Sequence, residues 1–168
     1  MSTEAHKKDA PKSVNVAIVT VSTTRTIKED KSGLWMAKRV KKEGHRLVLH
    51  DVVPDEAGVI ASTVCDAVRQ QKAQAVLVTG GTGLARADVT IEALRPLFIK
   101  ELTAFSVLFS QLSFDQIDSA AIVSRACAGI VGEAVVFAMP GSLKACQLAC
   151  KALIFPELSH IVRHLVKG

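Results

Sequence analysis

The residues with the most chemical content stand at the ends of apolar runs. Ala75–Thr79 leads into Gly80, Gly81, Thr82 and Gly83 and then to Asp88, and another run ends in Pro54, Asp55 and Glu56. Glycines let the backbone turn at positive φ and bring N–H groups close to an anion, and a following helix N-terminus adds partial positive charge. The TGGTG run can therefore cradle a phosphate. It is neither G-x-x-x-x-G-K-[ST] nor G-x-G-x-x-G, and taken alone the loop is equally well read as a tight strand-to-helix turn that needs glycine for its geometry. Asp88 can cap a helix with Glu92 in its first turn. Beside a phosphate loop it can instead join Asp55 in holding Mg²⁺, which takes one or two carboxylates plus substrate phosphates. Two carboxylates and a glycine loop point to phosphoryl or nucleotidyl chemistry. Covalent catalysis has little to stand on: no G-x-S-x-G elbow occurs, and His6, His45, His50, His160 and His164 lie away from these loops. His45 and His50 read as strand residues. His160 and His164 share a helix face one turn apart but lack the intervening Glu of a zinc protease motif.

These groups need elements to position them. Val14–Val21 (VNVAIVTV) is β-branched and nearly continuous, the mark of a strand buried on both faces in a parallel sheet. Ser32 and Gly33 open a segment with Leu34, Ala37 and Val40 at helical spacing, closed by Gly44. The pattern then predicts a strand over 46–53, an amphipathic helix over 56–71, a strand over 75–79 and a helix over 88–99. An amphipathic stretch over 103–111 follows, then strands over 120–124 and 135–139 and helices over 142–155 and 156–166. This order predicts a doubly wound α/β sheet, mostly parallel, with right-handed crossovers. Ligands bind such sheets beyond the carboxyl ends of the strands. There stand Ser22 to Arg25, Pro54 to Glu56, Gly80 to Asp88, Ser124 with Arg125, and Pro140, Gly141 and Ser142. Five such ends on one edge make a cleft.

With 168 residues, 49% apolar and 22% charged, the chain has the composition of one globular domain with a sizeable core, which excludes disordered, collagen-like and coiled-coil classes. Mean hydropathy is +0.30, yet no run reaches the about 18 apolar residues of a membrane span. The N-terminus offers Glu4, His6, Lys7, Lys8 and Asp9 where a secretory signal needs an apolar block. Residues 1–13 read as a disordered basic tail and 14–168 as the domain. A cytoplasmic chain is expected. Cys65, Cys127, Cys146 and Cys150 form no C-x-x-C pair and read as reduced structural thiols. The formal charge is +5, and Arg25 to Arg46 holds eight basic residues against three acidic ones. Such a stripe can attract nucleic acid or an anionic metabolite. With no Tyr and only Trp35 nearby, no stacking platform accompanies it, so a solvated helix face is the simpler reading. Neither nucleic acid nor membrane is expected as a partner.

Five segments together resemble a known family: VSTTRTIKEDKSG at 21–33, VPDE at 53–56, VTGGTGLARADVTIEAL at 78–94, SFDQIDSAAIVSRACAG at 113–129 and FAMPGSLKAC at 137–146. They are similar to the MoaB/MogA family of molybdenum cofactor biosynthesis, the molybdopterin adenylyltransferases, and they occur in the family's order from Val14 to Leu158. The SF-x-x-I and MPGS-x-KAC segments resemble its MoaB branch. The resemblance implies a three-layer α/β/α molybdopterin-binding fold and transfer of AMP from ATP to the terminal phosphate of molybdopterin, with release of pyrophosphate. It also implies assembly as a homotrimer or hexamer and contact with other proteins of the pathway. Carried onto matching positions, Asp55 and Asp88 become the catalytic, Mg²⁺-binding acids. Gly80, Gly81, Thr82 and Gly83 become the nucleotide loop, joined by Pro140, Gly141 and Ser142. Ser22, Thr90, Glu92, Ser124 and Arg125 become molybdopterin-site positions, with Arg125 a natural phosphate partner. A phosphate attacking a phosphate asks the protein for positioning and charge neutralisation. Asp55, which some members of the MoaB branch lack, favours an active enzyme over the alternative of a catalytically silent molybdopterin carrier or scaffold. The chain departs from the pattern at Ser22-Thr23-Thr24-Arg25, where many relatives read Ser-Asp-Arg or Ser-Asn-Arg, and at Ile91 and Leu143, where Pro is common.

Overall fold

The computed structural model describes residues 11–167; residues 1–10 of the expected tail lie outside them. The β-branched run forms β1 (Asn15–Val21), in which every residue but the first is buried. It pairs in parallel with β2 (Arg46–Val53) on one side and β3 (Ala75–Thr79) on the other. With β4 (Lys100–Glu101), β5 (Cys127–Val131) and β6 (Ala134–Met139) they form one sheet in the order β2-β1-β3-β6-β5-β4. β3 and β6 pair in parallel, whereas β5 is antiparallel to both β6 and β4. Five strands thus share a direction and β5 alone opposes them.

Strand alternation divides the core into two faces. Val16, Ile18, Leu77, Phe137 and Met139 pack with Met36 and Val40 of α1 (Lys31–Lys42) and Phe105 and Phe109 of α4 (Thr103–Ile117). Leu158 and Val162 join them from α6 (Phe155–Lys167). On the opposite face Ala17, Val19, Val76, Val78 and Val136 meet Ile60, Val64 and Ala67 of α2 (Ala57–Arg69) and Ile91 and Leu94 of α3 (Thr90–Leu94). This is the expected three-layer arrangement. Among the described residues no helix is long and apolar enough to cross a membrane.

Three expectations need correction. Residues 120–124 are not a strand: 120–123 belong to a 3-10 turn, Asp118–Val123, in which Ile122 is 88% exposed, and Ser124 follows it. The strand lies later, in β5, whose five residues are all buried. The helix expected over 88–99 is only α3 followed by a 3-10 turn, Arg95–Leu97. Pro96 supplies no N–H to carry the helix on, although Arg95 before it keeps helical dihedrals. The two helices expected over 142–155 and 156–166 form one continuous run, in which α5 (Leu143–Leu148) passes through a π-helical segment, Ala149–Ile154, into α6. Pro156 falls just after the wider π turns, where the hydrogen bond it cannot donate is already displaced.

Asp30 ties the layers together beneath one end of the sheet. Fully buried, it caps α1 by accepting from the Gly33 N–H (2.8 Å), and it accepts from the Thr20 hydroxyl (2.6 Å) with His50 Nε2 at 2.9 Å. Burial pushes its carboxyl up, but the bonds from His50, Thr20 and Gly33 outweigh it and hold the group below its ordinary value. A carboxyl so depressed contributes stability at neutral pH and loses it as pH falls below about 4. Asp30→Ala strands three polar groups in the core, so urea titration at pH 7 is expected to show a loss of about 2 kcal/mol, with the gap to wild type narrowing below pH 4.

Candidate active site

β1, β2, β3 and β6 end on the same edge of the sheet and release their following loops into one cleft of about 450 Å³. Ser22, Asp55, Gly80, Gly81, Thr82, Gly83, Asp88, Pro140 and Gly141 all line it. Ser124 and Arg125 line it too, although the strand expected before them is absent. They precede β5, and because β5 runs against its neighbours its beginning lies at the edge where theirs end. Ile117, Ala120 and Val123, from the end of α4 and the 3-10 turn, add an apolar wall. Three expected residues stand outside the lining. Thr90 is buried with its hydroxyl donating to the Gly80 carbonyl (2.8 Å), Glu92 sits behind Arg125, and Ser142 caps α5 by accepting from the Ala145 N–H (3.2 Å).

The glycine loop is built from close approaches. Gly80 and Gly81 have φ of +94° and +61°, in the left-handed region that costs side-chain-bearing residues strain. A Cβ on Gly81 would lie 2.5 Å from Thr90 Oγ1 and 3.2 Å from Asp55 Oδ1, and one on Gly83 would lie 2.6 Å from Asp88 Oδ2. The two aspartates therefore press on the loop at alternate residues. From the other side, a Cβ on Gly141 would lie 3.2 Å from the Gly80 Cα. The Gly141 carbonyl accepts from the Ser32 hydroxyl (2.9 Å) and the Pro140 carbonyl from the Thr79 hydroxyl (3.0 Å), which ties the loop after β6 to the start of α1 and to the last residue of β3.

Asp55 is held by one oxygen. The backbone N–H and hydroxyl of Thr23 donate to its Oδ2 (2.9 and 2.8 Å), and its own N–H returns a bond to Thr23 Oγ1 (3.2 Å). Oδ1 faces Gly81. Asp88 likewise accepts from the Ala85 N–H through Oδ2 (2.9 Å) while its N–H donates to the Ala85 carbonyl (2.9 Å). It closes that turn and does not cap α3, which starts at Thr90. Thr23 is the residue sequence reasoning missed; the signal available was its place, where many relatives carry another hydrogen-bonding residue.

Arg125 is engaged differently from a free phosphate ligand. Nε and Nη2 donate to the carbonyls of Thr82 and Gly83 (both 2.8 Å), and Nη1 and Nη2 reach the Glu92 carboxylate (2.6 and 3.3 Å). Four of its five N–H donors are thus directed at the loop and at Glu92. The hydrogen bonds hold the Glu92 carboxyl below its ordinary value and raise Arg125 above its own. The guanidinium braces the glycine loop and brings positive charge beneath it. Arg25 adds a second cation to the lining. The cysteines stand apart from this chemistry: all four are free, Cys127, Cys146 and Cys150 are buried, and burial pushes the Cys127 thiol up to about 11. Cys65 is half-buried.

Comparison with known proteins adds four likenesses. The model of a family described as "Probable molybdopterin binding domain" matches residues 17–160. The chain is 45% identical over 168 residues to "Molybdenum cofactor biosynthesis protein B" of Bacillus subtilis (strain 168), covering 99% of each. It is 39% identical over 164 residues to "Probable molybdopterin adenylyltransferase" of Methanocaldococcus jannaschii, covering 94% of this chain and 97% of that one. A crystal structure of a molybdenum cofactor biosynthesis protein B matches the fold with a TM-score of 0.92 at 42% identity, over 95% of this chain and 100% of that chain.

Proposed function

The chain belongs to this molybdopterin-binding family, and from that premise we propose that it acts in molybdenum cofactor biosynthesis as a Mg²⁺-dependent molybdopterin adenylyltransferase. The observation that carries the reading is the placement of Asp55 and Asp88 against alternate residues of one glycine loop, in one cleft. In the reaction a terminal phosphate oxygen of molybdopterin bonds to the α-phosphorus of ATP as the bond to the bridging oxygen breaks, and pyrophosphate leaves.

The donor set fits Mg²⁺. Both candidates are hard carboxylate oxygens, and in each aspartate the hydrogen bonds from protein fall on Oδ2. Among the described residues no group of three or more His, Cys, Asp or Glu is arranged for a metal. An ion held by two carboxylates and completed by water and phosphate suits magnesium, which keeps several waters and substrate oxygens. Asp55 and Asp88 would hold it, and the ion when bound neutralises the crowded phosphates. The chain's own part is positioning. The backbone of Gly81, Thr82 and Gly83 approaches the nucleotide phosphates because the glycines have no side chain and Thr82 is buried, Arg125 and Arg25 offset negative charge, and Ile117 and Val123 offer a surface for a flat ring. The outward face of α4 and the turn after it, where Val107, Phe114 and Ile122 are exposed, supports assembly of copies into the homotrimer or hexamer.

The test is incubation with molybdopterin, ATP and Mg²⁺: adenylylated molybdopterin and pyrophosphate in equal amounts are expected. No product overturns the reading, and tight molybdopterin binding without ATP consumption identifies a silent carrier instead. A finer expectation concerns Thr23. Thr23→Val keeps the backbone bond to Asp55 but removes the hydroxyl, so the Mg²⁺ concentration giving half-maximal rate should rise about 10-fold, as for other groups that orient a metal ligand. Thr23→Ser should restore it, with the melting temperature unchanged in both.

A further inference from the structure

His160 and His164 play no part in the proposed reaction, and neither lines the cleft. On α6 their Nε2 atoms are 2.9 Å apart, with the rings tilted by 54° and ring centroids at 4.7 Å. His160 Nδ1 lies 3.1 Å from Glu157 Oε2. Leu158 and Val162 of the same helix turn into the core, while His164 is exposed and the His160 side chain is 24% exposed.

Two nitrogens on one cation at typical bond lengths, with an angle between a right angle and the tetrahedral value, are about 2.9 to 3.4 Å apart. The imidazoles therefore already stand at the separation of adjacent ligands. A carboxylate only accepts hydrogen bonds, so the Glu157 contact keeps the His160 proton on Nδ1 and leaves the Nε2 lone pair to accept from the His164 Nε2–H. This is the arrangement by which a carboxylate orients a metal-bound histidine. We infer that His160 and His164 form a two-histidine surface site for a borderline divalent transition metal such as Ni²⁺, Cu²⁺ or Zn²⁺. His160 and His164 supply the two protein ligands through Nε2, Glu157 orients the first ring, and water completes the shell. On binding, the ion replaces the hydrogen between the two Nε2 atoms, and the His164 proton is carried on Nδ1. Imidazole pairs select these metals over Mg²⁺, which demands oxygen ligands and loses water reluctantly. The site is thus independent of the proposed catalytic ion.

The experiment titrates the untagged, full-length chain with NiCl₂ in a buffer that does not bind metals, following affinity by calorimetry and the histidine ring protons by NMR. The expected result is saturable binding of one Ni²⁺ per chain, reversed by EDTA, with the resonances of His160 and His164 perturbed first. Glu157→Gln should bind about 10-fold more weakly, and His160→Gln and His164→Gln should each lose saturable binding while melting like wild type. Equal binding by wild type and the His160→Gln/His164→Gln double variant overturns the proposal, as does displacement of Ni²⁺ by an equal concentration of Mg²⁺.

Discussion

Asp55→Asn and Asp88→Asn each lower the rate of AMP transfer by about 10²–10³-fold at saturating ATP, without unfolding the chain. Asparagine retains the shape of the side chain and an oxygen that accepts from Thr23 or from the Ala85 N–H, so the bonds that fix each side chain survive. What is lost is the negative charge facing the cleft. Both positions are only partly buried, and neither substitution leaves a void, so thermal melts should agree with wild type within about 0.5 kcal/mol. If the two carboxylates serve one ion, their effects do not multiply: the double variant should be little slower than the worse single one. Multiplicative losses would show two separate roles, and wild-type rates in either single variant would remove that residue from the chemistry. Raising Mg²⁺ should recover part of the rate in each single variant and none in the double.

The sequence made the edge of the sheet legible because a continuous β-branched run has one common use. Val14–Val21 reads as a parallel strand from its own residues, and once the sheet is placed the ends at Ser22, Asp55, Gly80 and Pro140 follow from topology. The strand before Arg125 was misplaced for an equally physical reason. Ala120–Val123 is apolar, but all of it except Ala121 is exposed, whereas β5 contains Gly129, which strand propensity penalises. Gly129 is needed because a Cβ there would lie 2.3 Å from the Phe98 ring, a contact made across 31 residues of chain. The bond networks were illegible in the same way. Thr23 meets Asp55 across 32 residues and Arg125 meets Glu92 across 33, and neither spacing leaves a periodic trace. Arg125 lines the cleft, but its partners depend on β5 running against its neighbours.

Gly80→Ala tests the loop itself, and it is expected to cost about 3–5 kcal/mol, combining strain at a positive φ with overpacking, and to lower the melting temperature by roughly 10 °C. The added methyl would lie 2.3 Å from the Val21 carbonyl oxygen, which belongs to the backbone of β1 and cannot rotate away. Retreat is closed in the other directions. The Gly80 N–H donates to the Met139 carbonyl at 3.1 Å, its carbonyl accepts from Thr90, and its Cα lies 3.2 Å from where a Gly141 Cβ would stand. Any shift that accommodates the methyl therefore moves three strand ends at once and opens the gap between Asp55 and the loop. Activity should fall further than stability alone explains, even at a temperature where the variant is fully folded. Gly58→Ala provides the internal comparison: it lies in α2, its methyl would meet nothing within 4 Å, and alanine favours the helix by about 0.5–1 kcal/mol. If both variants melt like wild type, the close approach of the loop to β1 is not what shapes the cleft; a large difference between them ties the cost to that approach and not to glycine replacement in general.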